Sequence, residues 1–196
     1  MKIPLKPGVK ALIFDFDGTL VDTMPLHYNA WTQVFQKVGV DYPIDMFNNN
    51  AGLPGWKIAG IVLQNAGARD KYDPRDLANQ KIELFNKLIP ETGIIEPVAD
   101  LVYRYYNTMP LSIGTGGNKT VVELTLTHTG LDRYFDIIVA EDEVSNHKPE
   151  PDTFLECARR MNTPPKYCQV FEDGERGIEA AKRAGMMVTD VRQFLL

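Results

Sequence analysis

The stretch FDFDGTLVDT at residues 14–23 places three aspartates directly after the apolar run VKALIF at 9–14. An apolar run of this length, rich in branched side chains and closed by turn residues, is typical of a buried strand. Carboxylates at the end of a buried strand are unfavourable unless they are paired or bound to a cation. Asp15 and Asp17 are two residues apart, so an extended backbone points both side chains to the same side. The stretch therefore predicts a strand that delivers two carboxylates to a functional site.

Further apolar runs repeat the pattern of the first: PLSIGT at 110–115, FDIIVA at 135–140, CQVFED at 168–173 and MMVTDV at 186–191. Helical patterns lie between them, near 118–130, 151–162 and 175–185. Strands that alternate with helices, joined by right-handed crossovers, form a parallel sheet with helices on both faces. The predicted fold class is therefore α/β, with an open parallel sheet.

The segment 24–90 interrupts this alternation. It contains helical patterns at 26–39, 56–67 and 75–89, separated by loops such as NNNAGLPG, and no convincing strand. We interpret it as a helical insertion that could cover the carboxyl end of the first strand. The predicted core then consists of residues 1–23 and 91–196.

Composition limits the class of protein. The 196 residues are 44% hydrophobic, enough for an ordered core, and 21 Lys and Arg against 26 Asp and Glu give a net charge of −5. This balance argues against a nucleic-acid-binding protein. No run approaches the roughly 18 apolar residues of a membrane span, and no signal-peptide pattern is visible. Cys157 and Cys168 lie in apolar patterns and are expected to be reduced core residues. We expect a cytoplasmic protein.

Polar residues follow the ends of several predicted strands. They are Asp15 and Asp17, Thr115, Lys148, and Glu172 with Asp173. In open parallel sheets, ligands bind beyond the carboxyl ends of the strands, near the point where the strand order reverses. We therefore expect these side chains to meet in one crevice.

The residue types indicate phosphoryl-transfer chemistry. Clustered carboxylates repel one another unless a cation lies among them, and oxygen ligands suit Mg²⁺. One carboxylate beside the metal can attack phosphorus, and a second can protonate a leaving oxygen and later accept a proton from water. Lys148 and the Thr115 hydroxyl would donate to the oxygens of the phosphoryl group.

Four segments resemble, in order, the signature motifs of the haloacid dehalogenase-like (HAD) hydrolases: DFDGTLVDT, SIGTGGNK, HKPEPDTF and VFEDGERGIEAAKRAGM. The resemblance covers the whole chain and is greatest to the β-phosphoglucomutase and sugar-phosphatase branch, including its fructose-1-phosphatase-like members. It implies a Rossmann-like core with a small α-helical cap inserted after the first motif, which matches 24–90.

The resemblance also implies roles for individual residues. Asp15 would be the nucleophile that forms an aspartyl-phosphate, and Asp17 the general acid and base, with its backbone carbonyl on Mg²⁺. Thr115 and Lys148 would hold the phosphoryl group. The implied metal-binding set is Asp15, Asp17, Glu172 and Asp173. An aspartate at position 17 distinguishes phosphatases and phosphomutases from the dehalogenases and P-type ATPases of the superfamily.

Further residues are candidates for substrate binding. Beside Thr115 and Lys148 they are Gly116, Asn118, His27, Trp56 and Lys57. His27 matches a histidine at the cap hinge of the branch. It is expected either to contact the substrate or Asp17, or to have a structural role. The stretch GTGGNKT at 114–120 fits neither a dinucleotide fingerprint nor a P-loop, and its glycines are expected to let backbone N–H groups approach a phosphate.

The sequence departs from the branch at two places. Met24 stands where many members have glutamate. Mutases carry an arginine in the cap loop that grips a second phosphate, whereas this chain has Gly55 there, with Lys57 two places on. The missing arginine favours hydrolysis, with Lys57 or another cation of the cap as the alternative anchor for a second phosphate.

Three functions remain as alternatives. The first is a Mg²⁺-dependent phosphatase of small sugar phosphates such as fructose-1-phosphate. The second is a β-phosphoglucomutase-like mutase, and the third is a non-enzymatic phospho-aspartate signalling switch. The expected partner is a small phosphorylated metabolite, and the expected state is a monomer.

Overall fold

The computed structural model describes residues 2–195. The strands are β1 (Ala11–Phe14), β2 (Val21–Asp22), β3 (Gly93–Ile94), β4 (Leu111–Gly114), β5 (Ile138–Val139), β6 (Cys168–Glu172) and β7 (Met187–Asp190). The helices are α1 (Met24–Lys37), α2 (Ile44–Asn50), α3 (Gly55–Asn65), α4 (Pro74–Leu88), α5 (Glu96–Tyr105), α6 (Lys119–Thr129), α7 (Asp152–Arg160) and α8 (Glu175–Arg183).

Five strands form one parallel sheet in the order β5-β4-β1-β6-β7. The first strand lies at its centre, where Phe14 pairs with Ile113 of β4 and with Phe171 of β6. The chain builds β4 and β5 on one side of β1 and then crosses to β6 and β7 on the other. The strand order thus reverses at β1, which places a crevice at the carboxyl ends of β4, β1 and β6.

The side chains of β1 alternate between two apolar layers, as expected for a strand buried on both faces. Leu12 and Phe14 pack with buried residues of α5 and α6. Ala11 and Ile13 pack with buried residues of α7 and α8. The predicted α/β fold, a parallel sheet with helices on both faces, is therefore confirmed.

Helices α1–α4 pack around an apolar cluster of their own that includes Trp31, Phe35, Val62 and Leu77. The chain enters this helical segment through β2 and leaves it through β3, and these two short strands pair antiparallel. We call α1–α4 the cap helices. The division of the chain into two domains remains a prediction.

Two helices differ from the sequence-based expectation. The loop expected at NNNAGLPG is shorter, because its three asparagines complete α2, where the Asn50 amide donates to the Met46 carbonyl at 2.7 Å. Helix α5 was not predicted. Its signals are Pro97 in the first turn and an apolar face that includes Leu101 and Val102.

Both cysteines, Cys157 and Cys168, are buried free thiols, as expected. Among the helices of residues 2–195, none combines the length and the apolar character needed to cross a membrane.

Candidate active site

An acidic cluster lies at the carboxyl ends of β1 and β6. It comprises Asp15, directly after β1, Glu172, the last residue of β6, and the following Asp173, and oxygens of the three carboxylates lie within 4.8 Å of one another. Burial raises the pKa of all three groups. Repulsion by Asp15 adds to the rise at Glu172 and at Asp173, whose pKa reaches about 6. Glu172 Oε2 is buried with no hydrogen-bond partner. A hard cation among these oxygens would relieve both the repulsion and the unpartnered acceptor, so the donor set fits Mg²⁺.

Lys148 supplies a buried positive charge to this cluster. Its ammonium donates to Asp15 Oδ1 at 2.6 Å and lies 3.7 Å from Glu172 Oε1, and the residue is only 3% exposed. Burial opposes the charged form, but the charges of Asp15 and Glu172 outweigh it and raise the pKa of Lys148. Lys148 therefore stays protonated and can donate to an anion held beside Asp15.

The loop after β4 forms the second wall of the crevice. The Thr115 hydroxyl accepts from the Gly117 N–H at 3.0 Å, and Asn118 caps α6 by accepting from the Thr120 N–H at 3.1 Å. We call residues 115–118 the phosphate loop, because they lead into the N-terminus of α6, where free backbone N–H groups favour an anion.

The phosphate loop lies directly against the cap. A Cβ atom built on Gly116 would lie 2.7 Å from the carbonyl oxygen of Gly52, in the loop between α2 and α3. Only glycine allows this approach without displacing the cap loop.

Asp17 contacts the start of the cap rather than the acidic cluster. Its Oδ1 accepts from the Thr23 hydroxyl at 2.6 Å and from His27 Nε2 at 2.9 Å. Lys81 of α4 in turn donates to His27 Nδ1 at 2.6 Å. An ammonium has no acceptor, so Nδ1 is unprotonated and Nε2 carries the proton of a neutral imidazole.

The protonation states of these groups follow from their surroundings. Burial opposes the ionisation of Asp17, but its interactions with His27 and Thr23 hold its pKa at about 2. Burial and the charge of Lys81 lower the pKa of His27, and burial lowers the pKa of Lys81 to about 8. At neutral pH the network is therefore a carboxylate, a neutral imidazole and an ammonium, connected in series.

One cavity of about 310 Å³ lies between the sheet and the cap helices. Its lining includes the acidic cluster, Lys148, the phosphate loop, Asp17, His27 and Lys81. The cap contributes Trp56, Arg75 and Asn79 to its wall. The Trp56 indole is flanked by the Arg75 guanidinium, 5.1 Å from the ring centroid, and by the Lys57 ammonium at 5.4 Å. The cavity therefore joins an ionic floor on the core to an aromatic and polar wall on the cap.

The sequence of this chain is also similar to that of a known protein family. The family of haloacid dehalogenase-like hydrolases matches residues 12–191, a range that contains the acidic cluster, the phosphate loop and Lys148. The chain belongs to the haloacid dehalogenase-like hydrolases.

Two relatives of this HAD hydrolase are phosphatases. Fructose-1-phosphate phosphatase YqaB of Escherichia coli (strain K12) is 42% identical, over 92% of this chain and 95% of its own. Phosphorylated carbohydrates phosphatase of Thermotoga maritima is 30% identical, over 91% of this chain and 82% of its own. The crystal structure of β-phosphoglucomutase from Clostridium difficile aligns with a TM-score of 0.83 at 26% identity, over 92% of this chain and 83% of that one. The chain is a phosphoric monoester hydrolase of the HAD family.

Most predicted site residues of the HAD hydrolase line the cavity. They are Asp15, Asp17, His27, Trp56, Thr115, Gly116, Asn118, Lys148, Glu172 and Asp173. Lys57 does not line it and instead lies against the Trp56 ring. The Asp17 carboxylate is separate from the three-carboxylate cluster. Of the groups of Asp17, only the backbone carbonyl therefore remains as the metal ligand that the resemblance implied.

Sequence reasoning missed four ionisable residues of the cavity, Arg75, Lys81, Glu141 and Arg176. Lys81 had a usable signal, because it lies on the apolar face of α4, three residues after Ala78 and four before Phe85, which are both buried. A lysine within such a face needs a partner. Glu141 is one of three successive acids and carried no comparable signal.

Proposed function

We propose that this protein is a Mg²⁺-dependent phosphatase that hydrolyses small sugar phosphates, of which fructose-1-phosphate is typical, through an aspartyl-phosphate intermediate. The observation that carries the proposal is the position of Asp15, buried within the acidic cluster with Lys148 donating to its Oδ1 at 2.6 Å. The phosphatase relatives, which act on fructose-1-phosphate and on phosphorylated carbohydrates by their names, support the substrate class.

The first step forms a bond between an Asp15 oxygen and phosphorus and breaks the bond to the sugar oxygen. The phosphoryl oxygens would accept hydrogen bonds from Lys148, the Thr115 hydroxyl and the backbone N–H groups of the phosphate loop. Asp15, Glu172 and Asp173 would hold Mg²⁺, with the Asp17 carbonyl. When bound, Mg²⁺ neutralises charge on the carboxylates and on the phosphoryl group.

Asp17 is suited to the proton transfers of both steps. It delivers a proton to the departing sugar oxygen. In the second step it removes a proton from the water that attacks phosphorus, which breaks the bond between phosphorus and the Asp15 oxygen and releases inorganic phosphate. The free carboxyl group has a pKa of about 2, so it must gain a proton before it can act as an acid. The approach of a negatively charged substrate phosphate raises the pKa of Asp17, and the chain Lys81–His27–Asp17 provides a path for the proton.

A β-phosphoglucomutase-like phosphomutase is the second candidate, favoured by the similarity to the Clostridium difficile enzyme. Hydrolysis is preferred because the chain has Gly55 at the cap position where the mutases carry an arginine for the second phosphate. Gly55 is packed within the cap, where an added Cβ atom would lie 3.5 Å from both Ala78 and Trp31. A signalling switch is not supported, since the family is one of hydrolases.

The test is the release of inorganic phosphate from fructose-1-phosphate, glucose-6-phosphate and β-glucose-1-phosphate, with Mg²⁺ or with EDTA. Wild-type protein is expected to release phosphate only with Mg²⁺, and Asp15→Asn is expected to be inactive. Asp22→Asn, a change of the same kind at an exposed aspartate, is the matched control. Undiminished turnover by Asp15→Asn would refute the mechanism. Conversion of β-glucose-1-phosphate to glucose-6-phosphate with a bisphosphate primer, without phosphate release, would establish the mutase.

A further inference from the structure

Glu141 is a carboxylate of the cavity that the proposed mechanism does not use. It begins the 3₁₀ turn Glu141–Glu143 after β5, and its N–H donates to the Gly117 carbonyl of the phosphate loop at 3.0 Å. Its side chain lines the same cavity as Asp15. Glu141 Oε2 is buried and makes no hydrogen bond.

The two acids that follow Glu141 already have hydrogen-bond or ion-pair partners. Asp142 accepts from the Lys119 N–H at 3.2 Å, and Glu143 pairs with the Lys119 ammonium and with Arg160 at 3.0 Å each. Neither lines the cavity. Of the three acids, only Glu141 therefore lines the cavity, and its buried Oε2 has no partner among the described residues.

Lys81 does not satisfy this acceptor. The charge of Lys81 favours the ionised form of Glu141, but burial and repulsion by Asp142 outweigh it and raise the pKa of Glu141 to about 7. The hydrogen bond that Lys81 makes goes to His27. Glu141 is also outside the acidic cluster that could hold a metal.

A group on a bound substrate could supply the missing partner. A carboxylate accepts hydrogen bonds from hydroxyl groups and repels phosphate and carboxylate groups. The Glu141 backbone is bonded to Gly117 of the phosphate loop, and its carboxylate interacts with the charge of Lys81, which is linked through His27 to Asp17. We therefore place the Glu141 carboxylate on the leaving-group side of the cavity. Hydroxyls near the ester oxygen of a polyol could reach it.

We propose that Glu141 is a specificity-determining residue that accepts a hydrogen bond from a hydroxyl group of the leaving alcohol, and so selects polyol monophosphates. This inference rests on the proposed function and narrows its substrate class. It implies discrimination against simple alkyl phosphates, which lack the hydroxyl, and against bisphosphates, whose second phosphate Glu141 repels.

The test compares kcat/KM for fructose-1-phosphate with kcat/KM for n-propyl phosphate, in wild type, Glu141→Leu and Glu141→Gln. Both substrates release a basic alkoxide that needs a proton from the enzyme, but only the sugar phosphate carries hydroxyls. Glu141→Leu is expected to lower kcat/KM for fructose-1-phosphate about 10- to 100-fold, the effect of one hydrogen bond to a charged group. Turnover of n-propyl phosphate should change less than about 2-fold.

Glu141→Gln, which keeps one acceptor and removes the charge, is expected to lose less on fructose-1-phosphate. It is also expected to improve relative turnover of fructose-1,6-bisphosphate. Glu123→Gln, the same change at an exposed position of α6, is the control that should leave all three substrates unaffected. Circular dichroism establishes whether each variant is folded. If Glu141→Leu does not fold, the comparison is made with Glu141→Gln.

An equal loss on fructose-1-phosphate and n-propyl phosphate would overturn the inference, because it would mean that Glu141 acts through Lys81 or the phosphate loop. No loss on either substrate would overturn it as well. If wild-type protein hydrolysed neither substrate, the proposed function itself would fail and the inference with it. That result differs from a failure of the inference alone, in which wild type remains active.

Discussion

Lys81 of the cap donates a hydrogen bond to His27 Nδ1 at 2.6 Å, and through that imidazole it fixes the proton that His27 shares with Asp17. The ring of His27 stacks on Phe85 with centroids 4.1 Å apart, which holds its orientation. A cap residue thus sets the tautomer of a group that touches the proposed acid and base of the core.

Replacing Lys81 by methionine keeps the bulk of the side chain but removes its donor. We expect kcat to fall about 10- to 100-fold, within the usual range for disturbed acid–base catalysis, with a smaller change in KM. Lys87→Met, at an exposed position one to two turns along the same helix, should retain activity. Steady-state kinetics of the two variants measure these changes. Equal activity of Lys81→Met and wild type would contradict a role for Lys81 in acid–base catalysis.

The pH dependence of turnover has a definite sign. Lys81 is an ammonium below its pKa of about 8 and loses its proton as the pH rises through that value. Above it, Nδ1 of His27 loses its charged donor, so wild-type kcat is expected to decline on the alkaline side with a midpoint near 8. In Lys81→Met this decline should be missing, and a profile of unchanged shape would assign it to another group.

Gly116 tests the contact between the phosphate loop and the cap. Gly116→Ala would place a methyl group 2.7 Å from the Gly52 carbonyl, so the cap loop must move and kcat/KM should fall at least about 10-fold, the size of effect known for small misplacements. Gly60→Ala is the control, because its added Cβ meets nothing closer than 3.9 Å. That helical change should preserve activity and stabilise the fold by about 0.5–1 kcal/mol. Full activity in Gly116→Ala would show that the loop yields freely.

Mg²⁺ should stabilise the protein in a pH-dependent way. The cluster binds a cation only when its carboxylates are ionised, and the pKa of Asp173 is raised to about 6. At pH 8, Mg²⁺ at about 100 times its Kd should stabilise the fold by about 2.7 kcal/mol, which raises the Tm by about 5–10 °C. At pH 5 the shift should be much smaller. Differential scanning fluorimetry measures both, and Asp173→Asn should respond weakly at either pH; a response equal to wild type would exclude Asp173 as a ligand.

Glu141 should destabilise the fold at high pH. Burial raises its pKa from 4.5 to about 7, so the unfolded chain ionises first, and the folded state loses stability as the pH rises between these values. Removing the charge in Glu141→Gln should therefore stabilise the protein by up to about 3 kcal/mol above pH 7, and have little effect below pH 4.5. Urea unfolding at pH 4.5, 6 and 8 measures the difference. A constant difference across this range would mean that Glu141 is solvated in the folded state.

The groups at strand ends were predictable from the sequence because each follows an apolar run. Asp15, Thr115 and Glu172 all lie where a recognisable strand stops, and parallel strands bring their carboxyl ends to one edge. His27 was recognised only as an alternative between a structural and a functional residue. Its bond to Asp17 requires the start of α1 to turn back over β1, which local patterns do not specify.

Lys81 and Glu141 could not be assigned in this way. The role of Lys81 depends on the contact of α4 with His27, and that of Glu141 depends on which groups surround it in the cavity. Local pattern shows that Lys81 lies on an apolar helix face, but not which acids it meets across the cavity. The sequence predicted a loop at Asn48–Asn50 and gave no prediction for α5. In both places burial overrides a weak local helix propensity: burial of Phe47 in α2, and of the apolar face in α5.

By itself, the sequence determined the parallel α/β core, the helical segment after the first strand, and the acidic, hydroxyl and lysine groups at the strand ends. Periodicity and strand order are local or near-local properties, so the sequence expresses them directly. Only the tertiary structure decided that Asp17 is linked through His27 to Lys81, that Gly116 meets Gly52, and that Glu141 has an unpartnered oxygen. The first two relationships exist because the cap helices pack over the carboxyl end of the sheet, and the third depends on which groups the fold places around Glu141.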